Sequence, residues 1–334
     1  MQTVSYEELV ENEETLLDVI EKAYGPNGLG ILTISGVPDY AEARTKLLPL
    51  IRDFGILPDD IKQQFERKEL NYQFGWSHGI EMLQSGKPDV GKGSYYANPS
   101  TKENFSNSNM AVDHNIWPSE FVPSLEAAFF DISSIMTGVA FKVADLCDRF
   151  ALNNGQKVAT MKKVVDNSTS SKGRLLYYFP TCDSAVKMDQ WCGWHCDHST
   201  LTCLTKAMYF DKDGLHVSES LRDDLVIQAR NKEQTSMSIP VDSIAIQIGQ
   251  AAQIDSNGVF LATPHAVSVP AVADISRATY ALFLQPDWNY LLKCDMNLVQ
   301  PEAMHSMPEQ YQSGMTFGEF SDATVKKFYR SNLE

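Results

Sequence analysis

The hydrophobic positions divide the chain into a helical front and a strand-rich back. Over residues 6–24 the apolar side chains Leu9, Val10, Leu16, Leu17, Val19 and Ile20 recur at helical spacing, and the run stops at Gly25-Pro26. Gly30 to Val37 is a short β-prone run closed by Pro38. Residues 39–67 are predicted helical with breaks at Gly55 and Pro58, and 121–153 as a long helix starting near Ser119 and stopping at Asn153-Asn154-Gly155. Between them, 70–118 is irregular and rich in Gly, Asn, Ser, Tyr and Pro; its many aromatics predict an ordered, packed segment.

Beyond residue 172 the pattern shortens. Runs at 173–179, 201–210, 224–230, 243–249, 258–262 and 277–285, separated by turn residues, predict an antiparallel barrel or jelly roll. The expectation is an α+β protein: a helical and loop region over 1–120 packed around a β core over 121–334, integrated as one domain.

Composition narrows the partners. With 28 Lys and Arg against 43 Asp and Glu, the net charge is −15, which disfavours nucleic acid and anionic membrane surfaces. No window holds about 18 consecutive apolar residues, and the acidic first residues lack a signal-peptide pattern. Six cysteines in 334 residues need no disulfide framework. A reduced, cytoplasmic protein is expected, with a small molecule as partner; the oligomeric state is open and a monomer is compatible.

The sharpest chemical feature is Trp194-His195-Cys196-Asp197-His198. On a strand, His195 and Asp197 share a face because side chains alternate with period two. A third donor, His265, follows 68 residues after Asp197 in Ala262-Thr263-Pro264-His265. Two imidazoles and one carboxylate on one side of a metal leave positions open, the arrangement used by Fe(II) that must bind a co-substrate and O2. His198 falls on the opposite face, and Cys192 and Cys196 suit packing better than zinc binding. His78, His114, His216 and His305 are expected to be surface or structural.

Twelve residues after His265 stands Arg277, followed by Thr279 on the same strand face. A guanidinium fork with a hydroxyl beside it suits a carboxylate, such as the distal one of 2-oxoglutarate. A zinc hydrolase on the same three donors would have no use for Arg277, and a catalytically silent relative would have no reason to keep all four groups.

On these residues, with Gly173 to Pro180 and Ser256-Asn257-Gly258, the chain resembles the isopenicillin N synthase-like 2-oxoglutarate/Fe(II) oxygenases. That resemblance implies a double-stranded β-helix core, iron on His195, Asp197 and His265, and 2-oxoglutarate on Arg277, Thr279 and Tyr178. It departs from the family in having Leu176 where Asn is usual, Thr279 where Ser is usual, and a longer turn around Pro270–Ile275. The Leu176 change leaves ascorbate or substrate electrons as an alternative reductant. A narrower likeness, on Gly75 to Gly79, Gly86 to Asp89, Lys92 to Pro99 and Trp191 to His195, is to a eukaryotic subgroup near the kainoid synthases.

Period two extends inward from these positions. Arg174 shares the face of Tyr178, and Phe283 and Gln285 share that of Arg277. Arg174 then either binds a substrate carboxylate or pairs with a local acid. Trp76, Ser94 and Tyr96 are substrate contacts or packing residues. The implied activity is hydrogen abstraction from a small, carboxylate-bearing, amino-acid-derived metabolite, giving hydroxylation or ring closure. A phenolic substrate is the alternative.

Overall fold

The computed structural model describes residues 1–11, 13–82, 86–100, 115–156, 160–180, 192–218, 225–267, 274–299 and 301–326. Trp191, Cys182, His114 and residues 268–273 of the turn before Arg277 lie outside them.

Along the chain the strands are β1 (Gln2–Ser5), β2 (Ile31–Ser35), β3 (Gly75–His78), β4 (Lys92–Ala97), β5 (Lys172–Tyr178), β6 (Cys192–His195) and β7 (Leu201–Thr205). They continue with β8 (Met208–Phe210), β9 (His216–Val217), β10 (Leu225–Gln228), β11 (Gln234–Met237), β12 (Ser243–Ile248), β13 (His265–Val267) and β14 (Ser276–Leu284). A large sheet runs β1-β2-β12-β7-β14-β5-β4-β3, with β8 and β9 attached beside β14; a smaller one runs β11-β10-β13-β6. Among the described strands, only β1 and β2 pair in parallel.

Each face of the large sheet has its own role because side chains alternate. Ile244, Ile246, Cys203, Leu282, Tyr280, Leu175 and Tyr177 pack on the outer face with Leu47, Ile51 and Phe54 of helix Tyr40–Gly55 and Phe129 and Ile132 of helix Leu125–Asn153. The inner face, including Ile31, Ala245, Ala281, Leu176 and Tyr178, meets Leu225, Ile227, Met237 and Val267 of the small sheet. The space between the sheets is where the site lies. Helix Leu125–Asn153 is long and apolar enough to cross a membrane by length and composition, and here its buried side chains belong to the outer-face core.

Three expectations change. The irregular 70–118 segment contributes β3 and β4, which extend the large sheet beyond β5. Gly and Ser in those strands hide the alternation: Gly93 has no side chain because Trp76 fills the space a Cβ would need. The run 258–262 is not a strand. Asn257 and Gly258 take positive φ, and side chains replace the ladder, Ser256 Oγ accepting from Phe260 N and Gln253 Oε1 from Ala262 N. The long helix begins at Leu125, after the Pro118–Ser124 turns.

Candidate metal centre

β6 and β13 pair antiparallel, with His195 directly opposite His265. Their ring centroids are 4.3 Å apart. His195 Nδ1 donates to Gly193 O at 2.8 Å and His265 Nδ1 to Thr263 O at 3.1 Å. A carbonyl can only accept, so each proton is held at Nδ1 and each Nε2 presents its lone pair. Both Nε2 atoms face Asp197 Oδ1, at 3.7 Å from His195 and 3.9 Å from His265. One donor atom from each residue lies within 4.8 Å of the others, a group able to hold a metal ion.

Asp197 does not lie on a strand, as the period-two reading assumed. β6 ends at His195, and Asp197 follows in a segment fixed by its own carbonyl, which accepts from Gln250 N at 2.8 Å. Gly249 lets this approach happen: a Cβ there would run into the Ser199 carbonyl. Burial alone would raise the Asp197 carboxyl. His265, His195 and a hydrogen bond from Thr202 outweigh it and keep the group below the usual carboxylate range. Burial, with His195 beside it, lowers His265 below an ordinary imidazole. An anion and two neutral imidazoles, mostly withdrawn from water, form a donor set for a divalent ion of borderline hardness.

His198 points elsewhere, its Nε2 3.1 Å from Ser321 Oγ and its ring stacked on Phe317. Cys196 is a free, partly buried thiol raised by burial to about 12, which suits packing.

Arg277, Thr279, Ala281 and Phe283 follow one another at every second position along β14. Arg277 is opposite Tyr178, Thr279 opposite Leu176 and Ala281 opposite Arg174. The Arg277 guanidinium lies 4.8 Å over the Tyr178 ring, and its Nε and Nη1 are buried and donate no hydrogen bond within the described residues. The Thr279 hydroxyl is 3.3 Å from that of Thr205. Phe283 packs against the cluster between the sheets.

Arg174 shares this inner face but is engaged locally. Glu81 takes its Nη2, Ser94 Oγ accepts from its Nε at 3.0 Å, and Tyr96 lies beneath it at 5.2 Å. The local-acid reading of Arg174 therefore describes its geometry. Burial would raise Glu81, yet Arg174 and Lys92 hold its carboxyl at about 2. Ser94 and Tyr96 belong to this network. Trp76 is on the other face, 1% exposed and 5.2 Å from Phe54, within the helix-side core. Its Cβ direction is opposite to that of Ser77, so it cannot line the space between the sheets. Gln285 lies past the end of β14, and its amide donates to Ser170 O. It braces a turn there.

Sequence reasoning missed Thr202, Glu81 and Lys172. Thr202 sits opposite Phe283 and supports Asp197. Lys172 was reachable by extending the Tyr178–Leu176–Arg174 alternation one step back. Glu81 carried no signal, because it lies outside any strand.

No family model matches the sequence, and no curated protein does. Solved structures match over nearly the whole chain. A 2OG-Fe(II) oxygenase family protein from Caulobacter crescentus shares a TM-score of 0.74 at 20% identity, with 98% of each chain covered. The chain shares the fold of that protein. A full-length Neurospora crassa protein in complex with alpha-KG and thymine gives 0.72 at 17% identity, covering 98% of this chain and 97% of that one. A rice dioxygenase for auxin oxidation gives 0.64 at 17%, covering 98% and 95%. At these identities the likeness is one of fold.

Proposed function

We propose that the chain is a non-haem Fe(II)/2-oxoglutarate-dependent oxygenase acting on a small molecule, built on a double-stranded β-helix. The observation that carries this reading is the convergence of His195, Asp197 and His265, with both imidazole protons held on the far side of the rings. Three donors from one side leave room opposite for a chelating co-substrate and O2.

When bound, iron and 2-oxoglutarate supply the oxidation: O2 takes two electrons from decarboxylation to succinate and CO2 and two from the substrate. The chain's own residues hold and orient. Arg277 and Thr279 receive the distal carboxylate of 2-oxoglutarate, with Tyr178 beneath the guanidinium fixing its plane. Leu176 offers an apolar wall where a polar contact is usual, so Arg277 carries more of the co-substrate affinity. Phe283 and the apolar residues around it keep water from the reacting carbon. The finer reading is an amino-acid-derived substrate undergoing hydroxylation or ring closure, kainoid pyrrolidine formation among the latter. A phenolic substrate is the alternative.

The test is succinate release from 2-oxoglutarate with Fe(II) and air, over amino acids, N-prenylated amino acids and phenolic metabolites. Release above background with one class, lost in Asp197→Ala, is the expected result. Equal release in the variant contradicts the proposal.

A further inference from the structure

Three cations stand on the inner face beside the site: Lys92, Lys172 and Arg174. Two carboxylates, Glu81 and Asp89, serve them, and neither reaches Lys172. Glu81 bridges Arg174 and Lys92, and Asp89 takes Lys92. The Lys172 ammonium instead donates to the amide oxygen Gln73 Oε1 at 3.0 Å and lies 5.8 Å over the Tyr96 ring. Among the described residues no acidic side chain pairs with it. Among the described residues the cluster holds three cations and two carboxylates, one positive charge in excess.

Lys172 is also on the metal side of the interior. It stands opposite Phe283, and Phe283 stands opposite Thr202, which bonds Asp197. Two strand spacings put Lys172 and Thr202 about 10 Å apart at their Cα atoms, within the combined reach of a lysine and a small ligand. Arg277, in contrast, is six residues from Phe283 along β14, about 20 Å at strand rise. Lys172 therefore stands at the opposite end of the β14–β5 pair from the cation assigned to 2-oxoglutarate.

We infer that Lys172 recognises a carboxylate on the substrate itself, with Tyr96 and Phe283 beside it contacting the apolar part. A single net positive charge matches a monoanion. A partly buried ammonium without a counterion is unfavourable in the free protein and is relieved when the ligand supplies one. Consistent with this, burial and the nearby Arg174 bring the ammonium down to about 8. The inference rests on the oxygenase reading above and adds to it the residue that holds the substrate's carboxylate.

The experiment measures equilibrium binding of matched probes, phenylacetate with phenylacetamide and hexanoate with hexanamide, to anaerobic protein loaded with Fe(II) and 2-oxoglutarate. The acids are expected to bind about tenfold or more tightly than the amides. Lys172→Met removes that preference and Lys172→Arg retains it. The same preparations are followed without probe for the visible band of the iron–2-oxoglutarate chelate. A band in wild type and K172M, with the acid preference lost only in K172M, supports the inference. A band in both, with acid and amide held equally or the preference surviving in K172M, overturns the role of Lys172 alone. Absence of the band in wild type overturns the oxygenase reading and this one with it.

Discussion

His195 and His265 stand in register across the β6–β13 pair, ring centroids 4.3 Å apart, each ring turned by the carbonyl two residues before it. The backbone therefore sets both tautomers before any metal arrives. Replacing His265 with Ala is expected to lower Fe(II) or Co(II) affinity more than about 100-fold while the chain stays folded, as anaerobic calorimetry would show. Retained affinity would mean that the ion sits elsewhere.

Thr202 acts through Asp197. Its hydrogen bond helps hold the carboxyl charged in a buried setting. Thr202→Val is expected to weaken metal binding about 10- to 100-fold, with far-UV circular dichroism unchanged. An unchanged affinity would reduce Thr202 to packing.

The lowered His265 value gives a pH signature. Burial and His195 keep this imidazole neutral well below its ordinary value of 6.5, so no proton has to leave it on metal binding at mildly acidic pH. Co(II) affinity is expected to lose nothing at His265 between pH 7.5 and 6, about the range where a free imidazole begins to take up a proton. A fall already tracking an ordinary imidazole titration would contradict it.

Glu81 links acid stability to the cation cluster. Its folded value of about 2 lies below the ordinary 4.5, so its contribution is complete above pH 4.5 and disappears as pH falls toward 2. That contribution is on the order of 3 kcal/mol. Glu81→Gln is expected to destabilise the protein at neutral pH by a comparable amount and to flatten the acid limb of urea stability against pH. Parallel curves for wild type and variant would contradict this.

Much of the interior was legible because period two is rigid. Once Tyr178 and Arg277 are set inward, Arg174, Leu176, Thr279 and Phe283 follow, and the register agrees. What alternation cannot show is how a side chain is employed. Arg174 faces inward and is engaged by Glu81, a residue more than ninety positions away in sequence. Asp197 meets the imidazoles from beyond a strand end, through backbone bonds to the Gln250 region. The family resemblance offers Trp76 as a substrate contact beside a packing role, and the parity of β3 puts it in the helix-side core. The pairing of β3 with β4 and of β4 with β5 was hidden because small residues there yield space to neighbouring rings.

The most direct measurement is an anaerobic titration with Fe(II) followed by 2-oxoglutarate, monitored in the visible. The expected result is a weak charge-transfer band that needs both components and is absent from Asp197→Ala and His265→Ala. No band in the wild-type protein, or the same band in both variants, would contradict the assignment of His195, Asp197 and His265 as the iron-holding group.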